Sequence, residues 1–245
     1  MGDDTNVISV VMPAHNEESL LAAAVNAVTD AMVDRGPFEV LVVENGSTDA
    51  TLEIAQRLSG QRPEVRALRE SAPDYGLALR AGLLAAKGET VAIFDVDYYD
   101  FGFLDSAVAL VEAPDGPVIV VATKRGEGSL DTRAWPRRLV TAGFSTMLKV
   151  GFGLKVSDTH GMKVLRREPI LHLVEACRFG TDIFDTELVL RVERAGMKVT
   201  EIPVTVAEMR PSRTSMAKRI PRTLANLVRL RRALDQECRR PVRTN

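Results

Sequence analysis

Short apolar runs rich in Val, Ile and Leu alternate with longer stretches whose apolar residues recur every three or four positions, and that alternation constrains the fold most. Val7–Met12, Phe38–Val43, Val65–Leu68 and Thr90–Phe94 read as strands with no polar face. Between them, Glu17–Arg35, Ser47–Leu58 and Tyr75–Ala86 read as helices. In the first, Leu20, Leu21, Ala24, Val28 and Met32 share one side; in the second, Leu52, Ile54, Ala55 and Leu58 do. Strands apolar on both faces belong to a mostly parallel sheet with helices on both sides, so the expected fold class is α/β.

After Asp100 the pattern loosens. Pro117–Thr123, Gly161–Leu165 and Lys198–Val206 read as strands, and Trp135–Val150, Glu168–Ala176 and Thr181–Ala195 as helices. The polar, Gly-containing stretch Gly126–Arg133 reads as a loop. A last helix is expected from about Ser215 to Arg240, with Ile220, Leu224, Leu227, Val228 and Leu234 on one side. Arg219, Arg222, Arg229 and Arg232 lie elsewhere, and Arg231 falls inside the apolar stripe.

Charge divides the chain into a body, residues 1–209, and a tail, residues 210–245. The whole carries 32 Lys and Arg against 33 Asp and Glu, yet the tail holds 11 basic and 2 acidic residues, a local charge of +9. A basic, partly apolar helix suits the surface of an anionic membrane. Nucleic acid is not expected as a partner, because the body is acidic and no aromatic residues interleave with the basic ones. With 45% hydrophobic and 27% charged residues, the composition excludes a disordered chain, a fibre or a membrane-spanning bundle. The acidic start MGDDTN lacks the pattern of a signal peptide. Two cysteines, Cys177 and Cys238, give no disulfide framework. The expected location is cytoplasmic, with peripheral contact on the cytoplasmic membrane face.

Polar residues cluster where strands end. Asp95-Val96-Asp97 directly follows the run Thr90–Phe94, and in parallel sheets ligands bind beyond the carboxyl ends of strands. Two carboxylates so spaced can share Mg²⁺ or Mn²⁺ with the oxygens of a diphosphate, although alone they read equally as a solvated strand end. Pro13-Ala14-His15-Asn16-Glu17 ends the first strand, and Asn16 can cap the helix behind it. Glu44-Asn45-Gly46-Ser47-Thr48-Asp49 ends the second; there Gly46 permits an unusual backbone angle and Ser47 or Thr48 can cap a helix. Three such strand ends on one sheet edge describe a nucleotide pocket.

In order, PAHNE, VENGSTDAT, GLALRAGLLAAKGETVAIFDVD and SDTHGMKVLRRE make the chain similar to a family 2 glycosyltransferase with the GT-A fold. Within that family it most resembles the dolichol-phosphate mannosyltransferase branch, the polyprenyl-phosphate sugar synthases. The resemblance runs from about Val7 to Met216. It implies that Pro13, Ala14, Asn16, Glu17, Glu44, Gly46, Asp74, Asp95, Val96 and Arg125 line the nucleotide-sugar site, and that Asp95 and Asp97 hold the metal. Tyr98 and Tyr99 stand where the branch has Leu-Gln, the Gln completing the metal shell, and Asp100 is a candidate substitute.

The resemblance also implies hexose transfer, with inversion, from GDP-mannose or UDP-glucose to a polyprenyl phosphate. Such an acceptor is already ionised near neutrality and needs arginines rather than a base; Arg125, Arg138 and Arg210 suit that task. A soluble hydroxyl acceptor would instead need an acid as base, for which Asp158, Asp185 and Glu187 are the candidates. A nucleotide-sugar-binding protein without turnover is the third alternative, motivated by Tyr98-Tyr99 and Glu44-Asn45.

Overall fold

The computed structural model describes residues 7–123, 143, 146–180, 183–204 and 216–239, and in the last helix the side chains of 222–237. A seven-stranded sheet in the order β3-β2-β1-β4-β6-β5-β7 forms its centre. The strands are β1 (Ile8–Ala14), β2 (Phe38–Asn45), β3 (Val65–Glu70), β4 (Thr90–Ile93), β5 (Ile119–Thr123), β6 (Lys163–Arg166) and β7 (Val199–Pro203). β1, β2, β3 and β4 are mutually parallel where they pair, and β5 runs parallel to β7. Only β6 is reversed, antiparallel to both β4 and β5.

The helices are α1 (Leu21–Met32, continued by a single turn at Val33–Arg35), α2 (Thr51–Gln61), α3 (Tyr75–Ala85), α4 (Phe101–Glu112), α5 (Arg167–Ala176), α6 (Phe184–Arg194) and α7 (Met216–Arg239). Alternation along β1 distributes the core. Val10 and Met12 pack with Leu21, Val28 and Met32 of α1, Ala55 of α2 and Leu104 of α4 on one face. Val11 packs with Leu79 and Leu83 of α3, Ile170 of α5 and Leu188 of α6 on the other. Such two-sided burial is what apolar runs without alternation require.

Helix starts depart from the sequence reading. The segment 17–20 is a turn, in which the Leu20 and Leu21 amides donate to the Glu17 carbonyl, and α1 begins only at Leu21. Asn16 does not cap it, because its side chain turns to Thr48 instead. α2 starts at Thr51, where Asp49 accepts from the Thr51 amide at 3.0 Å; neither Ser47 nor Thr48 is its cap. α4 lies where no helix was expected. Asp100 caps it by accepting from the Phe103 amide at 2.8 Å, and Phe103, Leu104, Ala107 and Val111 bury one face.

The helix expected over Trp135–Val150 and the loop Gly126–Arg133 lie outside the described residues, apart from a helical stretch 146–152. In α7 the buried side chains are Leu227, Leu230 and Leu234, which meet Leu148, Leu154, Val156, Ile183, Val189 and Leu190 in a third cluster. Leu224 and Val228 are instead 42% and 53% exposed, and Arg231 lies on that outer flank, where Nη1 donates to the Gly151 carbonyl at 2.7 Å. The inward stripe is thus rotated from the expected one. The Ile220 side chain lies outside the described residues.

Candidate nucleotide-sugar site

The carboxyl ends of β1, β2 and β4, with the segment after β3, enclose a cleft lined by Pro13, His15, Glu17, Asn45, Pro73, Tyr75, Asp95, Val96 and Asp97. The loops behind β1 and β2 are tied together. The Asn16 amide donates to Ser47 Oγ at 3.0 Å, the Thr48 amide to Asn16 Oδ1 at 2.8 Å, and the Glu17 amide to Thr51 Oγ1 at 2.7 Å. Asn16 adopts φ 54° to do this, a conformation Asn tolerates better than most residues. Gly46, at φ 65°, lies so close to the next loop that a Cβ would come within 2.9 Å of the Pro73 nitrogen.

Asp95, Val96 and Asp97 form a tight turn closed by reciprocal backbone bonds between Asp95 and Tyr98, both 3.1 Å. Val96 is buried, so the two acids flanking it are presented at the lip while the apolar residue anchors the turn. The Tyr75 hydroxyl donates to Asp95 Oδ1 at 2.9 Å. Burial pushes the Asp95 carboxyl up, with Asp97 and Asp185 adding repulsion, while the Tyr75 bond and Lys163 oppose the shift. Burial and the same acids also drive the Tyr75 phenol well above its usual range, which keeps it a donor at any physiological pH.

A hard divalent cation fits this donor set. Both groups offer carboxylate oxygen, and their mutual repulsion is what a cation relieves. Among the described residues no third His, Cys, Asp or Glu joins them. Asp100 does not complete the shell, being committed to the start of α4. Tyr98 and Tyr99 pack against the apolar core, Tyr99 with its ring 6.3 Å from that of Phe94. Burial, with Asp100 and Asp95, pushes the Tyr98 hydroxyl up to about 12.

Of the residues expected here, Pro13, Glu17, Asp95, Val96 and Asp97 line the cleft. Ala14 is buried in the sheet, and Asn16 and Gly46 shape the loops. Glu44 is buried behind the lining, where it accepts from the Ser47 amide at 2.5 Å. Asp74 caps α3, accepting from the Leu77 amide at 3.0 Å. Arg125, Arg138 and Arg210 lie outside the described residues.

The acids of the far edge are engaged. Asp185, 3% exposed, pairs with the fully buried Lys163 at 2.8 Å, and Lys163 also donates to the Gly161 carbonyl. Glu187 accepts from the Arg178 and Phe179 amides at 3.0 and 2.9 Å and from Arg191 at 2.8 Å. Asp158 accepts from the His160 amide at 3.0 Å. Of the other lining residues, His15, Asn45 and Tyr75 fall inside segments the sequence singled out without being named there as site residues, and Pro73 falls outside them. His15 and Asn45 are members of strand-end motifs, and Tyr75 belongs to the segment Asp74 to Gly76, which the resemblance implies closes over the nucleotide.

Residues 9–173 match the family model described as Glycosyl transferase family 2. An uncharacterized glycosyltransferase of Mycobacterium tuberculosis is 35% identical over 202 residues, covering 82% of this chain and 85% of that protein. A dolichyl-phosphate beta-glucosyltransferase of Trichomonas vaginalis is 25% identical, over 86% of this chain and 68% of its own. Among solved structures, glucosyl-3-phosphoglycerate synthase from M. tuberculosis, in complex with Mn²⁺, UDP and glucosyl-3-phosphoglycerate, superposes with a TM-score of 0.67. At 24% identity that match covers 92% of this chain and 80% of the synthase, and it identifies the shared GT-A architecture. With the family model spanning most of the sheet and the strand-end acids in place, this chain belongs to glycosyl transferase family 2 and is a glycosyltransferase.

Proposed function

We propose that the enzyme transfers a hexose, with inversion, from a nucleoside-diphosphate sugar to a polyprenyl phosphate, assisted by a divalent cation. The observation that carries the donor half is the pair Asp95 and Asp97 at the lip of the cleft. Mg²⁺ or Mn²⁺ held by these carboxylates would supply charge stabilisation on the departing diphosphate. Asp95 and Asp97 would hold the cation, and Pro13, Glu17 and Asn45 bound the nucleotide side. An acceptor phosphate oxygen bonds to the anomeric carbon as the bond to the diphosphate breaks, and the nucleoside diphosphate leaves.

The engaged acids support an ionised acceptor. Asp185 and Glu187 are held in buried ion pairs, whereas a hydroxyl acceptor requires a base with room to take its proton. The dolichyl-phosphate glucosyltransferase relatives support a lipid phosphate and a glucosyl group, and the neighbour crystallised with UDP-glucose supports that donor over GDP-mannose. Arg125, Arg138 and Arg210 would grip the acceptor phosphate.

The test is direct. Purified enzyme with UDP-glucose or GDP-mannose and Mn²⁺ or Mg²⁺ is offered polyprenyl phosphate, 3-phosphoglycerate or simple sugars. The expected product is glycosylated lipid phosphate, from UDP-glucose above GDP-mannose. Product with soluble acceptors alone would overturn the lipid assignment, and nucleotide binding without any turnover would identify a binding protein.

Access to the lipid falls to α7. Among the described residues no helix is long and apolar enough to cross a membrane. α7 exposes Leu224 and Val228 beside Arg229 and Arg232 while its other side packs on the body, and this suits peripheral contact with the anionic cytoplasmic membrane face. Deleting the helix would uncover the third core cluster, so charge reversal is the cleaner probe. Arg229→Glu with Arg232→Glu is expected to weaken co-sedimentation with anionic vesicles roughly tenfold at low salt. Equal sedimentation would make the helix purely structural.

A further inference from the structure

We propose that Tyr75 is a positioning residue for Asp95: its hydroxyl occupies Oδ1 and thereby leaves Oδ2 to face the cation and diphosphate. The inference rests on the proposed donor chemistry and adds a residue to it. The bond is 2.9 Å, and Tyr75 lines the cleft beside Asp95. An Asp side chain has a broad, two-fold terminal torsion, so a carboxylate at a turn has no intrinsic preference for which oxygen it presents. Asp97, on the other side of buried Val96, repels Asp95 and cannot orient it. A fixed donor on one oxygen can. Outer partners of this kind commonly orient the ligands of a metal.

Tyr75 is itself held with little freedom. It is the first residue of α3, directly after the capping Asp74. On its other side, a Cβ on Gly76 would lie 2.5 Å from the Gly180 backbone carbon, and a Cβ on Gly180 would collide with the Asp74 carboxylate. The backbone on both sides of Tyr75 is therefore pinned between α3 and the segment leading into α6 (Phe184–Arg194). Buried behind it, Lys163 and Asp185 keep a compensated charge pair close enough to act on Asp95.

The experiment is a double-mutant cycle read as binding, by calorimetry with UDP in the presence and absence of Mn²⁺. Tyr75→Phe keeps the ring and removes the donor. It is expected to lower Mn²⁺-dependent UDP affinity roughly tenfold and leave Mn²⁺-independent affinity unchanged. In an Asp95→Ala background, which removes the acceptor, the same substitution is expected to have no further effect, because Tyr75 acts only through the carboxylate. A Tyr75→Phe protein with wild-type Mn²⁺ dependence overturns the inference, and so do additive losses in the double variant, which would mean that Tyr75 contributes packing. The wild-type titration tests the donor reading by itself: UDP affinity indifferent to Mn²⁺ would remove the cation and, with it, the positioning role. The thermal midpoint of Tyr75→Phe, expected within a few degrees of wild type, separates lost orientation from lost fold.

Discussion

Asp97→Asn abolishes cation-dependent donor binding, with an expected loss of roughly 10²–10³-fold in Mn²⁺-dependent nucleotide affinity and a comparable loss in transfer. Asp97 lies half-exposed at the lip of the cleft and raises the Asp95 carboxyl by like-charge repulsion. Removing its charge relieves that repulsion, so the unfolding free energy is expected to stay within about 1 kcal/mol of wild type. Calorimetry with and without Mn²⁺, paired with urea denaturation, measures both. Unchanged affinity would remove Asp97 from the site; lost affinity accompanied by lost stability would make the residue structural.

Lys163→Met produces the opposite signature. Lys163 is completely buried and its ammonium holds Asp185 at 2.8 Å, so the methionine strands a carboxylate in the interior. Breaking a buried pair from one side costs about 3–5 kcal/mol. Replacing both partners, as in Lys163→Met with Asp185→Leu, should restore most of that, since matched apolar residues commonly substitute for a buried pair. Urea unfolding of the two variants checks the pattern. If the single variant lost less than 1 kcal/mol, the interior pairing would be wrong. If Asp185 were a base in transfer, the double variant would be folded and inactive, whereas a structural Asp185 leaves measurable turnover.

The sequence read the first half of the molecule well because there the physical signal is local. β1, β2 and β4 are apolar on both faces, and a strand of that kind has one home, a sheet covered on both sides. The polar residues that follow each of them had to emerge at one edge, which is why Pro13, Glu17, Asp95 and Asp97 were legible. α4 was legible too but unread: Asp100 before the run Phe103, Leu104, Ala107, Val111 is a cap followed by helical spacing. The reversed direction of β6 was not, since a short apolar strand looks the same either way and only its partners β4 and β5 decide. The roles of Asp185 and Glu187 were hidden for a similar reason. Their acidity is visible in the sequence; the buried Lys163 and Arg191 that neutralise them come from elsewhere in the fold or one turn away.

The C-terminal helix is wired to the donor side through charge. Glu237 of α7 holds Arg191 at 2.7 Å, Arg191 holds Glu187, and Glu187 fixes the amides of 178 and 179, next to the glycine that abuts Asp74. Whatever settles α7 against the body therefore bears on the segment that packs against the start of α3, beside the cleft. If the seating of that helix changes the affinity for a bound nucleotide, thermodynamic reciprocity requires the nucleotide to change the seating by the same factor.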